Sequence, residues 1–127
     1  MELVEREGDV LHARRELAGF DVGHGGCFGC IYSVRGAGGY QMFGITPMPI
    51  YDPNQKISYL RDFMCLFKPG DIVKWKPIDR TQYDATVADV ETGKFTPLMK
   101  NVTFSLKDFH KDIDASNRKL DEVLHGH

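Results

Sequence analysis

The chain has 127 residues, of which 42% are hydrophobic, so it is long enough for one domain with an ordinary core and too short for two. Its 16 basic residues nearly balance its 18 acidic residues, and neither sign forms a long block, which argues against a nucleic acid or an anionic membrane as partner. We therefore expect a single domain over residues 1–127 with no nucleic-acid or membrane partner.

The location of the protein is indicated by its apolar stretches and its cysteines. The longest strongly apolar run, residues 63–67, is far shorter than the ~20 residues that cross a bilayer, and the N-terminus is too charged for a signal peptide. The 3 cysteines are an odd number, which argues against a secreted disulfide framework. We expect a soluble, cytoplasmic protein.

Residues 1–21 are compatible with two structures. Asp9 could cap a helix that carries Val10, Leu11 and Leu17, or Gly8-Asp9 could form the turn of a hairpin between two charged strands. The sequence does not decide between them.

The next region is rich in glycine and in large apolar side chains. Of the 13 glycines, 8 lie between Gly23 and Gly44, interleaved with residues such as Phe28, Tyr40 and Phe43. A flexible linker would lack these side chains. The pattern therefore predicts short strands separated by tight turns.

The middle of the chain predicts one more turn and strand. Lys68-Pro69-Gly70-Asp71 has the composition of a turn, and Ile72, Val73 and Trp75 follow it as a strand that Pro77 ends. Trp75 is expected to lie in the core.

The last third predicts two helices and a strand. Asp79 can cap a short helix, and Gly93 stands where a left-handed C-terminal cap would be. A strand is expected over residues 94–104. Ser105 then begins a capping box, and apolar residues recur at helical spacing through residues 105–124: Leu106, Phe109, Ile113, Leu120 and Leu124.

The predicted fold is mainly β with helices. A small sheet or barrel of the glycine-rich strands carries the short helix and a long amphipathic C-terminal helix.

The run Gly38-Gly39-Tyr40-Gln41 is the candidate site. Two successive glycines allow positive φ or close approach of a ligand, and they precede a phenol and an amide that can donate and accept hydrogen bonds. This combination is compatible with the rim of a polar small-molecule site. The alternative is a bend in the sheet where the glycines relieve crowding and the tyrosine packs.

The same run carries a resemblance to a known family. Residues 30–44, CIYSVRGAGGYQMFG, are similar to the "IYP, then PGGYQL.GRT" signature of the carboxyltransferase domain of urea carboxylases and urea amidolyases. Later motifs agree in order: PIYD at 49–52, FKPGDIVKW at 67–75, and ETGKF at 91–95 with FSLKDF at 104–109. The resemblance covers roughly residues 22–124 and is closest to the C-terminal part of the urea carboxylase branch.

The resemblance implies a cyclophilin-like β-barrel that is part of a biotin-dependent carboxyltransferase. Such an enzyme moves a carboxyl group from carboxybiotin to urea or a related small amide. It implies catalytic roles for Tyr40 and Gln41, and substrate-binding roles for another set of residues: Gly38, Gly39, Gly44, Arg35 and Tyr32. The chain is expected to bind no cofactor directly, because a partner carrier domain presents the carboxybiotin.

The sequence departs from the family pattern in three places that bear on the function of this chain. Ile45 stands where the family has an arginine, with Arg35 as the candidate to supply the charge instead, and Ala37 replaces a proline before the glycine pair. The family's N-terminal half and a biotinylation sequence are absent from this chain. We therefore expect the protein to need a complementary half-domain or a biotin carrier, and to be a heteromer or homo-oligomer.

A second function also fits the resemblance. Kip-type inhibitors of a sporulation kinase and one component of a bacterial oxoprolinase belong to the same family, so the chain could be a non-catalytic binding module. Ile45 favours this alternative, and the C-terminal extension favours the enzyme.

The cysteines suggest a metal site that we do not expect to form. His24, Cys27 and Cys30 have a ligand-like spacing, and Cys65 could be a fourth ligand. If residues 27–32 are a strand, however, Cys27 and Cys30 point to opposite faces. We expect buried structural cysteines and no metal.

Overall fold

The structure is a computed structural model that describes residues 2–5, 15–17, 21–34 and 36–126. The chain divides into two compact units, residues 1–96 and residues 97–127. Among the described residues, the first unit contains the strands, one α-helix and a short 3-10 helix (Ser58–Leu60), and the second contains two further α-helices. The prediction of one domain over residues 1–127 stays a prediction.

The first unit is built on seven short strands: β1 (Glu2–Glu5), β2 (Arg15–Leu17), β3 (Asp21–Gly25), β4 (Phe28–Tyr32), β5 (Gly36–Gly38), β6 (Gln41–Ile45) and β7 (Lys76–Pro77). Five of them form one sheet in the order β4-β3-β6-β1-β7, and β2 and β5 form a separate antiparallel pair. All neighbours in the larger sheet are antiparallel except β1 and β7, which are parallel.

The described strands do not close into a barrel. β4 and β7 form the two edges of the sheet and do not pair with each other. β7 has only two residues, and one of them, Pro77, has no N–H to continue the ladder. The combination of a small sheet with helices is confirmed, and the closed cyclophilin-like barrel stays a prediction.

The glycine-rich region forms the short strands that the sequence predicts. β3 and β4 are joined by a two-residue turn at Gly26 and Cys27, and Gly26 has a φ of 61°. A glycine with positive φ at the first central position is typical of a type II′ hairpin turn. This hairpin lies in register from Gly25 opposite Phe28 to Asp21 opposite Tyr32.

The described part of residues 1–21 forms strands and no helix. β1 pairs with β6 and β7, and β2 pairs with β5, so the two strands do not form a hairpin with each other. Gly8 and Asp9, where the hairpin turn was an alternative, lie outside the described residues.

One predicted strand is wrong, and the strand predicted from Ile72 to Pro77 forms only as the two residues of β7 (Lys76–Pro77). Residues 71–75 and 94–105 form no strand, although both contain alternating apolar residues. Ile72, Val73 and Trp75 remain between a third and a half exposed. A strand needs a neighbour for its hydrogen bonds, and no described strand takes that position. The turn before the first segment is confirmed: Gly70 has a φ of 94°, and the Asp71 amide donates to the Lys68 carbonyl oxygen at 3.1 Å.

The buried interior of the described residues is small. The buried hydrophobic residues are Val22, Met48, Leu60 and Ile78. Thr46 is fully buried as well. Many large apolar side chains remain exposed, including Phe28, Phe63 and Leu98. Among the described helices, none is both long and apolar enough to cross a membrane.

Asp52 organises the loop that follows the sheet. One oxygen of its buried carboxylate accepts from the Asn54 amide at 3.0 Å, and the other accepts from the Lys56 and Ile57 amides at 2.7 and 2.9 Å. The Ile57 amide is the main cause that lowers the pKa of Asp52, and burial opposes it. In the same loop, Tyr59 donates to the Pro49 carbonyl oxygen at 2.7 Å, and burial raises the pKa of its hydroxyl.

The short helix of the first unit is confirmed. Helix α1 (Arg80–Glu91) begins after Asp79, whose side chain accepts from the Gln82 amide while the Gln82 side chain accepts from the Asp79 amide. This reciprocal pair is a capping box. The helix ends at Thr92, and Gly93 follows with a φ of 73°.

The C-terminal helical region is divided in two. Helix α2 (Leu106–Lys111) is capped by Ser105, and helix α3 (Ile113–His125) begins after Asp112. Asp112 adopts an extended conformation and accepts from the Ala115 amide at 2.9 Å, so its side chain caps a new helix at that point. The continuous helix expected over residues 105–124 is therefore interrupted at Asp112.

We predict that Asp52→Asn destabilises the protein in a pH-dependent way. The amide group keeps only one acceptor oxygen for three backbone donors, so the melting temperature at pH 7 is expected to fall by several degrees. Because the pKa of Asp52 is lowered in the folded state, its stabilisation is present above the ordinary pKa and is lost as the pH falls through the folded value. The difference between the variant and the wild type should therefore shrink below about pH 4.

The measurement is thermal unfolding of both proteins, followed by circular dichroism, from pH 7 downward. Asp62→Asn is the matched control, because Asp62 is exposed and accepts no hydrogen bond from a described residue. Equal losses in the two variants would contradict the role assigned to Asp52.

Candidate functional site

Strands β4, β3 and β6 place two tyrosines on one side of the sheet. Opposed residues of antiparallel strands share a face, and successive residues alternate. The register therefore groups the pairs Asp21–Tyr32, Gly23–Cys30 and Gly23–Met42 on one face. The Tyr40 ring lies on the same face, over Gly25. This surface is called the tyrosine face, and it consists of Tyr32, Tyr40, Phe28, Cys30, Met42, Asp21, Gly23 and Gly25.

Two glycines of β3 form the floor under these side chains. A β-carbon at Gly25 would lie 2.8 Å from Cδ1 of Tyr40. A β-carbon at Gly23 would lie 2.8 Å from the Gln41 carbonyl oxygen and 3.0 Å from Cε of Met42. Both distances are shorter than van der Waals contact, so β3 needs glycine here for β6 and Tyr40 to approach. The sequence analysis did not assign this role to either residue.

The two tyrosines are linked through the backbone. The Tyr40 amide donates to the Tyr32 hydroxyl oxygen at 3.3 Å. The Tyr40 side chain is 40% exposed. Tyr32 therefore helps to hold the chain at Tyr40, and the Tyr40 amide has an acceptor within the protein.

Gln41 projects to the other face of the sheet. It is opposite His24, whose ring lies 6.1 Å from the Phe43 ring, and Phe43 lies 5.8 Å from Trp75 in an edge-to-face arrangement. The Tyr40 ring lies over Gly25, the neighbour of His24 in β3, and successive residues of a strand point to opposite faces. The two predicted catalytic side chains, Tyr40 and Gln41, are therefore not brought together on one surface.

The predicted glycines differ in their surroundings. Gly38 ends β5 opposite Arg15, and the space where a β-carbon of Gly39 would lie is open to 4 Å. Neither glycine is among the described residues with positive φ, which was one of the two uses that the sequence allowed for the pair. Gly44 is buried between β1 and β3, where it faces the opposed residues Glu5 and Val22.

The charged groups predicted for the site are not seen beside the tyrosines. Arg35 lies outside the described residues. Ile45, at the family's arginine position, is half-buried in β6 opposite Val4 and Asp21. Asp21 is itself a buried carboxylate, 2% exposed, which the sequence analysis did not single out.

The cysteines are more accessible than expected. Cys27 is exposed in the hairpin turn, and Cys30 and Cys65 are half-buried. The prediction of buried cysteines is therefore wrong for Cys27, because the turn places it at the end of the sheet. In the part of the chain that the structure describes, no group of three His, Cys, Asp or Glu residues is placed to hold a metal ion.

Comparison with known proteins places this surface in context. Residues 12–60 match the family described as carboxyltransferase domain, subdomain C and D. A urea amidolyase of Lachancea kluyveri is 33% identical over 80% of this chain, and that of Saccharomyces cerevisiae is 27% identical over 83% of it. The chain spans 6% of the length of each of these relatives. No solved structure matches the chain significantly.

We predict that Gly23→Ala destabilises the protein and that Gly29→Ala does not. The added methyl group at residue 23 meets a backbone oxygen at 2.8 Å, so β3 and β6 must separate. Overpacking of this kind costs about 1–3 kcal/mol. The measurement is the free energy of unfolding in urea.

Gly29 is the matched control, because it lies in the neighbouring strand β4 with no atom within 4 Å of an added β-carbon. Its substitution should change the free energy of unfolding by no more than about 0.5 kcal/mol. A similar loss at both positions would show that the close approach at Gly23 is not the cause.

Proposed function

Because this chain is related to the carboxyltransferase domain, subdomain C and D, we propose that it is part of a biotin-dependent carboxyltransferase. It transfers a carboxyl group to urea or a related small amide, as a subunit or fragment that a partner half completes. The observation that carries this proposal is the similarity to two urea amidolyases over 80% and 83% of the chain. The family match at residues 12–60 includes the whole tyrosine face.

Tyr40 is the residue of the tyrosine face best suited to bind the acceptor. Its side chain is exposed, and the space beside Gly39 is open. A phenol can donate a hydrogen bond to the oxygen of a planar amide and hold it in a fixed orientation. The same hydrogen bond strengthens when a base removes an N–H proton from the acceptor, because the negative charge of the resulting anion is shared with that oxygen. Tyr32 acts as a positioning residue, because its hydroxyl holds the Tyr40 amide.

The other predicted site residues have less direct roles in this proposal. Gly38 and Gly39 leave room for the acceptor, and Gly44 keeps β6 close to its neighbours. Gln41 would contact substrate only from the opposite face of the sheet. Arg35 remains the candidate cation for the carboxyl group. Carboxybiotin, presented by a partner carrier, would supply the carboxyl group that is transferred.

The exposed apolar side chains of the described residues support the proposal that the chain binds a partner. Only a few hydrophobic side chains of the described residues are buried, and large ones such as Phe63 and Met99 remain exposed. Extensive apolar surface marks an interaction site. We propose that a complementary half-domain covers part of it, and that this assembly is cytoplasmic.

A regulatory function is the second candidate, and Ile45 is the observation that favours it. An aliphatic side chain, half-buried in β6, cannot hold a carboxylate as an arginine would. In this case the chain would bind another protein through the same sheet, in the way proposed for the Kip-type inhibitors.

The test is reconstitution with the proteins encoded beside this chain, including a complementary half-domain and a biotin carrier. ATP- and bicarbonate-dependent carboxylation of urea is expected from the complex and not from the chain alone. A stable complex that carboxylates neither urea nor related amides would contradict the enzyme proposal. Capture of a protein kinase in place of carboxylase components would support the regulatory candidate.

In the active complex, we predict that Tyr40→Phe lowers kcat by about 10²-fold, the usual effect of removing one hydrogen-bond donor to a developing charge. Tyr83→Phe is the matched control, because Tyr83 lies on α1 and not on the tyrosine face. The measurement is steady-state kinetics with urea. An unchanged kcat in Tyr40→Phe would contradict the role assigned to Tyr40. It would not contradict the carboxylation activity of the complex.

A further inference from the structure

Strand β4 presents an open edge. It pairs with β3 and has no other neighbour among the described strands. Exposed edges normally carry charged residues or proline, which prevent pairing with another chain. Residues 27–34, CFGCIYSV, contain neither. Phe28 is 67% exposed at the start of the strand.

The hairpin determines which backbone groups face this edge. Gly25 and Phe28 flank the two-residue turn and form a hydrogen-bonded pair. Hydrogen-bonded and non-hydrogen-bonded pairs alternate along an antiparallel ladder. Residues 28, 30 and 32 therefore direct their N–H and C=O groups to β3, while Gly29 and Ile31 direct theirs to the open edge.

We propose that two copies of this chain associate through antiparallel pairing of their β4 strands about a two-fold axis centred on Cys30. This register places Gly29 of one copy opposite Ile31 of the other, so the outward backbone groups form about four hydrogen bonds between the copies. It is the symmetric register that pairs all five residues of the strand. The inference does not depend on the carboxyl-transfer proposal.

The side chains are compatible with this register. Phe28 lies opposite Tyr32 of the second copy, and aromatic pairs across strands stabilise a sheet. Cys30 lies opposite its own counterpart in a non-hydrogen-bonded pair, where the α-carbons are about 4.5 Å apart. The uncharged strand brings no like charges together, which favours a second copy over a charged partner.

The first test uses cysteine cross-linking of the full chain. The double variant Cys27→Ser/Cys65→Ser keeps Cys30, and the control Cys30→Ser/Cys65→Ser keeps the exposed Cys27. Diamide removes two thiol hydrogens to form a disulfide and is itself reduced to the hydrazine. If pairing aligns the two Cys30 thiols, their effective concentration is about millimolar, so Cys30 should cross-link at least about tenfold faster than Cys27 at micromolar protein.

This comparison separates pairing from random collision. Collision favours the exposed Cys27, whereas the proposed register favours the half-buried Cys30. Cross-linking of Cys27 at an equal or higher rate would overturn the proposal.

The second test measures the association without any cross-link. Phe28→Lys places a charge on the edge of β4, and we expect light scattering to show loss of the dimer. Val34→Lys is the matched control, because Val34 is 64% exposed and lies outside β4. The control should remain dimeric. A wild-type monomer at high concentration, or a dimer that survives Phe28→Lys, would overturn the proposal.

Discussion

The close approach of β6 to β3 is the constraint on which the described sheet depends. It exists because Gly23 and Gly25 have no β-carbons, which leaves room for the Gln41 carbonyl, the Met42 side chain and the Tyr40 ring. β3 is also the strand that joins β4 to the rest of the sheet. A larger residue at Gly23 would therefore disturb both the centre of the sheet and the surface that carries the tyrosines.

This constraint also shapes the candidate site. With glycines as the floor, Tyr40 lies over β3 and its amide reaches the Tyr32 hydroxyl. Gln41 pairs with His24, the neighbour of Gly25 in β3, and therefore lies on the opposite face. A phenol is thus displayed by a rigid sheet, which suits binding of a planar acceptor. The side chain of Gln41, the next residue in the sequence, lies on the other face of the sheet.

Local hydrogen bonds hold the loop that contains Asp52, whereas several apolar side chains elsewhere in the fold remain exposed to solvent. Asp52 satisfies three backbone amides through one carboxylate, so the loop after the sheet is held by local hydrogen bonds. By contrast, Ile72, Val73 and Trp75 remain partly exposed. Self-association at β4 and a complementary half-domain are two ways in which such surface becomes buried.

The sequence by itself determined the features that depend on neighbouring residues. These are the short glycine-rich strands, the turn at Gly70, the helix caps at Asp79 and Ser105, and the resemblance to the carboxyltransferase family, because caps and turns need only a few adjacent side chains. Only the tertiary structure decided which strands find partners. Residues 94–104 have the pattern of a strand and form none, since pairing requires a second strand in the right place. In the same way, the separation of Tyr40 from Gln41 and the role of Gly23 follow from the register of β3 and β6, which the local pattern does not contain.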